Sequence, residues 1–103
     1  MIKSFADKET RKLFQGSKSR AVPPDVREHA ESKLAVLDAA KSLEDLKVPP
    51  GNKLEALRGN REGQHSIRIN RQYRVCFVWD SEAGGTHDVE ITDYHDQGGE
   101  YDG

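Results

Sequence analysis

Apolar residues recur every three or four positions in the first half of the chain and every two in the second. Val26, Ala30, Leu34, Leu37 and Ala40 fall on one face at helical spacing. That spacing predicts an amphipathic helix from about Asp25 to Ser42, packed on something flat. Pro24 suits its first turn, and Leu43 and Leu46 extend the apolar stripe by one more. Ahead of it, Asp7 can cap a short helix over Lys8 to Gln15 that Gly16 ends, and Ile2 to Phe5 reads as a strand-like start. Residues 16–24 form a loop with two basic groups, Lys18 and Arg20. The run Val48-Pro49-Pro50-Gly51-Asn52 forbids helix and marks a change of architecture.

The second half reads as strands. Lys53 to Leu57 and Gln64 to Asn70 alternate, the latter with Ile67 and Ile69 on one face and Ser66 and Arg68 on the other. A turn-rich loop, Arg58 to Gly63, joins them, and Asn70 to Gln72 makes a tight hairpin. Tyr73 to Trp79 is the most apolar run and is expected to be central. A second hairpin turn at Ser81 to Gly85 leads to a last strand over Thr86 to Tyr94. Short turns between strands imply antiparallel pairing. The expected fold is α+β: two N-terminal helices on one face of a small curled antiparallel sheet, the other face left open and carrying arginines. One domain over residues 1–95 accounts for it, followed by an acidic, Gly-rich tail at 96–103.

Charge sharpens the picture. The net charge of −2 hides an asymmetry: residues 53–74 carry six basic and two acidic groups, whereas residues 75–103 carry eight acidic groups and no Lys or Arg. Five of those six basic residues are arginines, whose planar fork suits phosphate. No apolar stretch approaches membrane-spanning length and the start lacks a signal-peptide core, so a cytoplasmic protein is expected. The single cysteine, Cys76, lies in the apolar run and reads as a small buried hydrophobe.

Two groups of residues could carry chemistry. The first is the basic set Lys53, Arg58, Arg61, Arg68 and Arg74. Arg68 and Arg74 sit on consecutive hairpin strands, so they can meet across the sheet. Arg74 interrupts an otherwise apolar strand, which calls for an anionic ligand or a paired acid such as Asp93. Arg61 and Arg71, in turns, read first as solvated surface charge. The second group is Asp93-Tyr94-His95 at the rim of the last strand, where a histidine can move protons near neutral pH and Asp93 can orient it. His65, His87, His95 and Asp93 lack the tight spacing of a metal site, and no metal or cofactor is expected.

Several blocks together resemble a known family. They are Met1-Ile2-Lys3-Ser4-Phe5, the stretch Lys33 to Ala40 with Leu43-Glu44-Asp45-Leu46, Pro49 to Gly63, Ser66 to Phe77, and Asp93-Tyr94-His95. In this order the chain resembles the HigB-type toxins of the RelE superfamily, also called plasmid maintenance killer proteins. The resemblance implies a ribosome-dependent endoribonuclease that cuts messenger RNA and is neutralised by a HigA-type antitoxin, with operator DNA bound only through the toxin–antitoxin complex. It implies that Arg74 stabilises charge on the scissile phosphate, that Asp93, Tyr94 and His95 form the acid/base end, and that Arg58 contacts phosphate or ribosomal RNA; Lys53, Arg61 and Arg68 join Arg58 as RNA-binding candidates by their charge. Better-known members carry a histidine where this chain has Glu55, so either Glu55 replaces it or the roles shift, and Glu55 joins the candidate set. The same fold also serves toxins that inhibit DNA gyrase by binding, and a pure partner- and operator-binding module is the other alternative.

Overall fold

A computed structural model describes residues 1–93; Tyr94, His95 and the tail lie outside the described residues. Two α-helices, α1 (Lys8–Phe14) and α2 (Arg27–Ala39), precede four strands, β1 (Glu55–Ala56), β2 (His65–Arg68), β3 (Tyr73–Asp80) and β4 (Gly85–Asp93). The strands form one antiparallel sheet in the order β1-β2-β3-β4, as adjacent hairpins dictate.

Local chemistry sets the boundaries. Asp7 caps α1 by accepting a hydrogen bond from the Thr10 amide at 2.7 Å. The second helix ends earlier than its apolar stripe predicts, at Ala39, with Ala40 extended. Its continuation is a separate 3₁₀ turn, Leu43–Lys47, opened by a capping box in which Ser42 and Asp45 serve each other's backbone amides. Leu46 is buried and Leu43 partly so, but from that independent turn. At the other end, Pro24–Val26 is also a 3₁₀ turn. The Pro-Gly segment excludes α-helix as expected yet still forms one 3₁₀ turn, Pro50–Asn52. Lys53 then takes a left-handed conformation, with φ 49°, which shortens the expected strand 53–57 to two residues.

The core lies between helices and sheet. Leu13, Ala30, Leu34 and Leu37 meet Ile67, Ile69, Val75, Phe77 and Val89, all nearly inaccessible to water. Each such leucine contributes about 1.5–3 kcal/mol relative to exposure. Thr10 ties α1 to the sheet by accepting from the Ile91 amide at 3.1 Å. Between Cys76 and Val78 the register slips, so that Asp88 and Val89 together oppose Phe77. Asp88 there has φ 53°. A bulge of this kind bends and twists the sheet.

The first residues run parallel to β4 and bridge it at Ile2–Thr86 and Phe5–Val89. The Lys3 amide donates to Thr86 O at 2.7 Å, and the Thr86 amide donates to Met1 O at 3.0 Å. Gly85 is required beside them, because a Cβ there would lie 2.5 Å from Met1 O.

The second face of the sheet is not open, contrary to expectation. Ser66 is fully buried and Cys76, Arg74 and Thr92 are at most 5% exposed. Arg74 lies across Ser66, and the Arg61–Glu90 ion pair, 3.2 Å long, spans its far side. Long side chains bury polar positions there much as a second layer would.

Candidate functional site

Register places the arginines. Arg68 and Arg74 are direct partners across β2 and β3, and Arg74 in turn opposes Thr92. Glu55, Ser66, Cys76 and Glu90 form the neighbouring cross-strand row on the same face. Like charges directly opposite each other are destabilising unless an anion offsets them. Here one is supplied: Glu55 Oε1 lies 3.0 Å from Arg74 Nη2.

Arg74 is held on several sides. Its Nε donates to Ser66 Oγ at 2.7 Å, and Nη2 donates to Lys53 O at 2.6 Å and to Ser66 O at 3.4 Å. The left-handed turn at Lys53 aims that carbonyl at the guanidinium. Among the described residues the acid that meets Arg74 is therefore Glu55 of the first strand and not Asp93. Asp93 is the register partner of Tyr73, on the opposite face, and accepts from Gln72 Nε2 at 3.1 Å.

Around this arginine is a cleft of about 460 Å³ lined by Lys53, Leu54, Glu55, Arg68, Asn70, Arg71 and Arg74. Four of those seven residues are cationic and one is acidic, so the cleft suits an anion. Asn70 shapes it: its side-chain oxygen accepts from the Gln72 and Tyr73 amides at 2.8 and 2.7 Å, which closes the hairpin and sets Arg71 on the rim.

The sequence-derived residues are thus distributed unevenly. Lys53, Glu55, Arg68 and Arg74 share the cleft. Arg58 is exposed at the start of the turn Gly59–Arg61 and is not among the lining residues. Arg61 stands at the other end of the same face, bonded to Glu90 and to Gln64 Oε1. Asp93 sits at the strand end, linked through Gln72 to the hairpin that carries Arg71. Tyr94 and His95 are outside the described residues. Arg71 and Ser66 were missed as site residues. The signal was available for Arg71, since a three-residue hairpin brings position 71 back beside 68 and 74.

Cys76 is buried beside Thr92, with its sulfur 3.5 Å from the Thr92 hydroxyl, and burial pushes its thiol pKa up. It packs as the small hydrophobe expected. Among the described residues no three His, Cys, Asp or Glu side chains gather as metal ligands would. No described helix is long and apolar enough to cross a membrane.

Fold and cleft together define a small α+β domain built around a cationic groove suited to phosphate. Known proteins narrow the class. Residues 3–96 match the family described as the RelE-like toxin HigB of type II toxin-antitoxin systems. Toxin HigB-1 of Vibrio cholerae is 41% identical over 80 residues, covering 77% of this chain and 84% of that one. Endoribonuclease HigB of Proteus vulgaris is 30% identical over 95 residues, covering 92% of this chain and all of the other. The YoeB-YefM complex from Staphylococcus aureus contains a chain of the same fold, with a TM-score of 0.53, 18% identity and coverage of 87% of this chain and 93% of that one. The chain belongs to the HigB-like toxin family within the RelE superfamily.

Proposed function

We propose that this chain is the toxin of a type II toxin–antitoxin pair and cuts messenger RNA on the ribosome. The observation that carries this reading is the in-register Arg68–Arg74 pair in a cleft with Lys53 and Arg71, offset by one acid among the described residues. Four cations about one pocket favour a phosphodiester over a neutral ligand, and a phosphorane over both.

The proposed reaction needs no metal or cofactor. The ribose 2′-OH attacks the adjacent phosphorus, giving its proton to a base; the P–O5′ bond breaks, and the 5′ oxygen takes a proton from an acid. The products are a 2′,3′-cyclic phosphate and a free 5′-OH. Arg74 neutralises the equatorial oxygens, aided by Arg68. Glu55 is the carboxylate within the cleft and takes the base's part. Tyr94 and His95 supply the acid end, with Asp93 beside them on the strand's other face, and Lys53, Arg58 and Arg61 hold the flanking RNA. Proton transfer of this kind contributes about 10²–10⁴-fold. Alignment of the message by the ribosome supplies much of the remainder.

The partner is a HigA-type antitoxin, with operator DNA engaged only through the complex. Primer extension on a translated message, with and without expression of this chain, tests the reading. New 5′ ends within codons, absent from the same RNA without ribosomes, are the expected result. Growth arrest with intact message and inhibited gyrase would assign the fold's non-nucleolytic use instead.

A further inference from the structure

A second cleft, of about 450 Å³, lies on the helix side of the β2–β3 hairpin. His29 and Lys33 of α2 and Gly51 line it, together with Arg68, Asn70 and Arg71, which also line the first cleft. The two clefts are thus one groove folded over the ridge of the hairpin. Among the described residues its lining holds two arginines, a lysine and a histidine, with no acid.

One turn builds both halves. Lys53 presents its carbonyl to Arg74 in the first cleft. Asn52, immediately before it, is fully buried. Its amide nitrogen donates to Leu46 O and Val48 O, both at 3.2 Å, which leaves its oxygen turned toward Lys33. The Lys33 ammonium donates to that oxygen. A buried asparagine with this bond pattern fixes where a long, flexible lysine places its charge, and so lowers the entropy lost when an anion binds.

Resting on the RNA reading of the first cleft, we propose that the second cleft binds the backbone phosphates of the same RNA strand, next to the scissile nucleotide. His29 and Lys33 touch phosphate only there, and Arg68 and Arg71 bridge between the two clefts. Among the described residues the lining contains no ring of Phe, Tyr or Trp and four side chains that can carry positive charge, so the subsite holds backbone phosphate in preference to bases. Its role is to align the strand, and its ligand is a single-stranded RNA of more than two nucleotides.

The test titrates ¹⁵N-labelled full-length chain with 2′-O-methyl RNAs of two and six nucleotides, which cannot be cut. The hexanucleotide is expected to shift amides of both clefts, at Lys53 and Arg74 and at His29, Lys33 and Gly51. The dinucleotide is expected to shift those of the first cleft alone. His29→Ala and Lys33→Met should each weaken the hexanucleotide about 3–10-fold and leave the dinucleotide unchanged. Each should also lower the salt slope of hexanucleotide binding by about 0.7, the value for one phosphate no longer neutralised. His29 is exposed and carries no packing role, so its variant stands even if Lys33→Met unfolds. Shifts confined to the first cleft with both RNAs would overturn the inference and leave the RNA reading intact. Absence of shifts in either cleft would overturn the inference, while the primer-extension result decides the RNA reading separately. If the variants bind the hexanucleotide normally but bind ribosomes or antitoxin more weakly, the second cleft serves ribosomal RNA or a protein, and the inference fails.

Discussion

Glu55 Oε1 sits 3.0 Å from Arg74 Nη2, so the one acid among the described lining residues of the cleft is paired with its most buried cation. The pair is asymmetric. The Arg74 side chain is 7% exposed and that of Glu55 is 49%. Water reaches the carboxylate, which can let go of the arginine at small cost, whereas the arginine is fixed by Ser66 and Lys53.

Arg74→Ala should therefore lose stability as well as activity. The sequence alone allows two outcomes, a ligand-facing arginine whose removal spares the fold or a paired one whose removal does not. In the structure removal strands Ser66 and the Lys53 carbonyl, at a cost of about 2–4 kcal/mol. Thermal unfolding should show a fall in Tm of about 10 °C or more for a domain of this size. Arg74→Lys should recover part of the loss. A Tm within a degree or two of the wild type would mean that these bonds contribute little.

Glu55→Gln separates binding from chemistry. Removing a half-exposed carboxylate should change stability by under about 0.5 kcal/mol. RNA affinity should rise, because the cleft gains a unit of positive charge. Cleavage on the ribosome should fall about 10²-fold or more if the carboxylate accepts the 2′-OH proton. Tighter binding with an unchanged cleavage rate would leave Glu55 as an electrostatic brake and remove it from proton transfer.

Arg71→Ala should weaken RNA binding without touching the fold. The side chain is exposed on a hairpin whose shape is set by Asn70, so stability should hold within about 0.5 kcal/mol. The salt dependence of binding to single-stranded RNA should decrease by about 0.7 in slope, as expected when one phosphate goes without its cation. Arg58→Ala, outside the cleft, should do less to a dinucleotide than Arg71→Ala does. The reverse order would move the RNA path to the other end of the sheet.

Acid should loosen the connection after α2. The Lys41 amide, first, and then Ser42 hold the Asp45 carboxyl below its ordinary 3.8. A lowered carboxylate favours the folded state above its unfolded pKa, and this contribution disappears as pH falls through the folded value. Asp80, lowered chiefly by the Ala83 amide and then by His87, and Glu9, lowered chiefly by the Arg20 amide, act in the same direction. Tm should be nearly flat above about pH 5 and fall below about pH 4. Asp45→Asn should be the less stable protein at neutral pH, with the gap closing as acid is added. A gap that widens in acid would contradict the assignment.

Periodicity made the helices, the strand order and most of the core legible, because burial on one side of each element leaves a repeating trace. Arg68 and Arg74 were legible as a pair because a short hairpin fixes its own register. The partner of Arg74 was not. Asp93 and Glu55 are both acids on strands, and only the register, which sets Tyr73 against Asp93, sends one to each face. The end of α2 was likewise hidden, since a capping box after Ala40 interrupts an apolar spacing that continues through it. The closed second face escaped notice because its cover is made of arginine side chains, which sequence patterns count as exposed.

The bridges from Ile2 and Phe5 to Thr86 and Val89 join the two extremes of the described chain. Synthesis delivers the helices and the first hairpin early, but the partner of residues 2–5 emerges only after some eighty more have been made. Until then β4 is absent, Leu13 and Phe77 lack the cover of Val89, and β3, the strand that carries Arg74, has one unpaired edge. Pairings of such long sequence separation slow closure. The sheet therefore closes late in synthesis, and β3 keeps a bare edge until β4 has emerged to cover it.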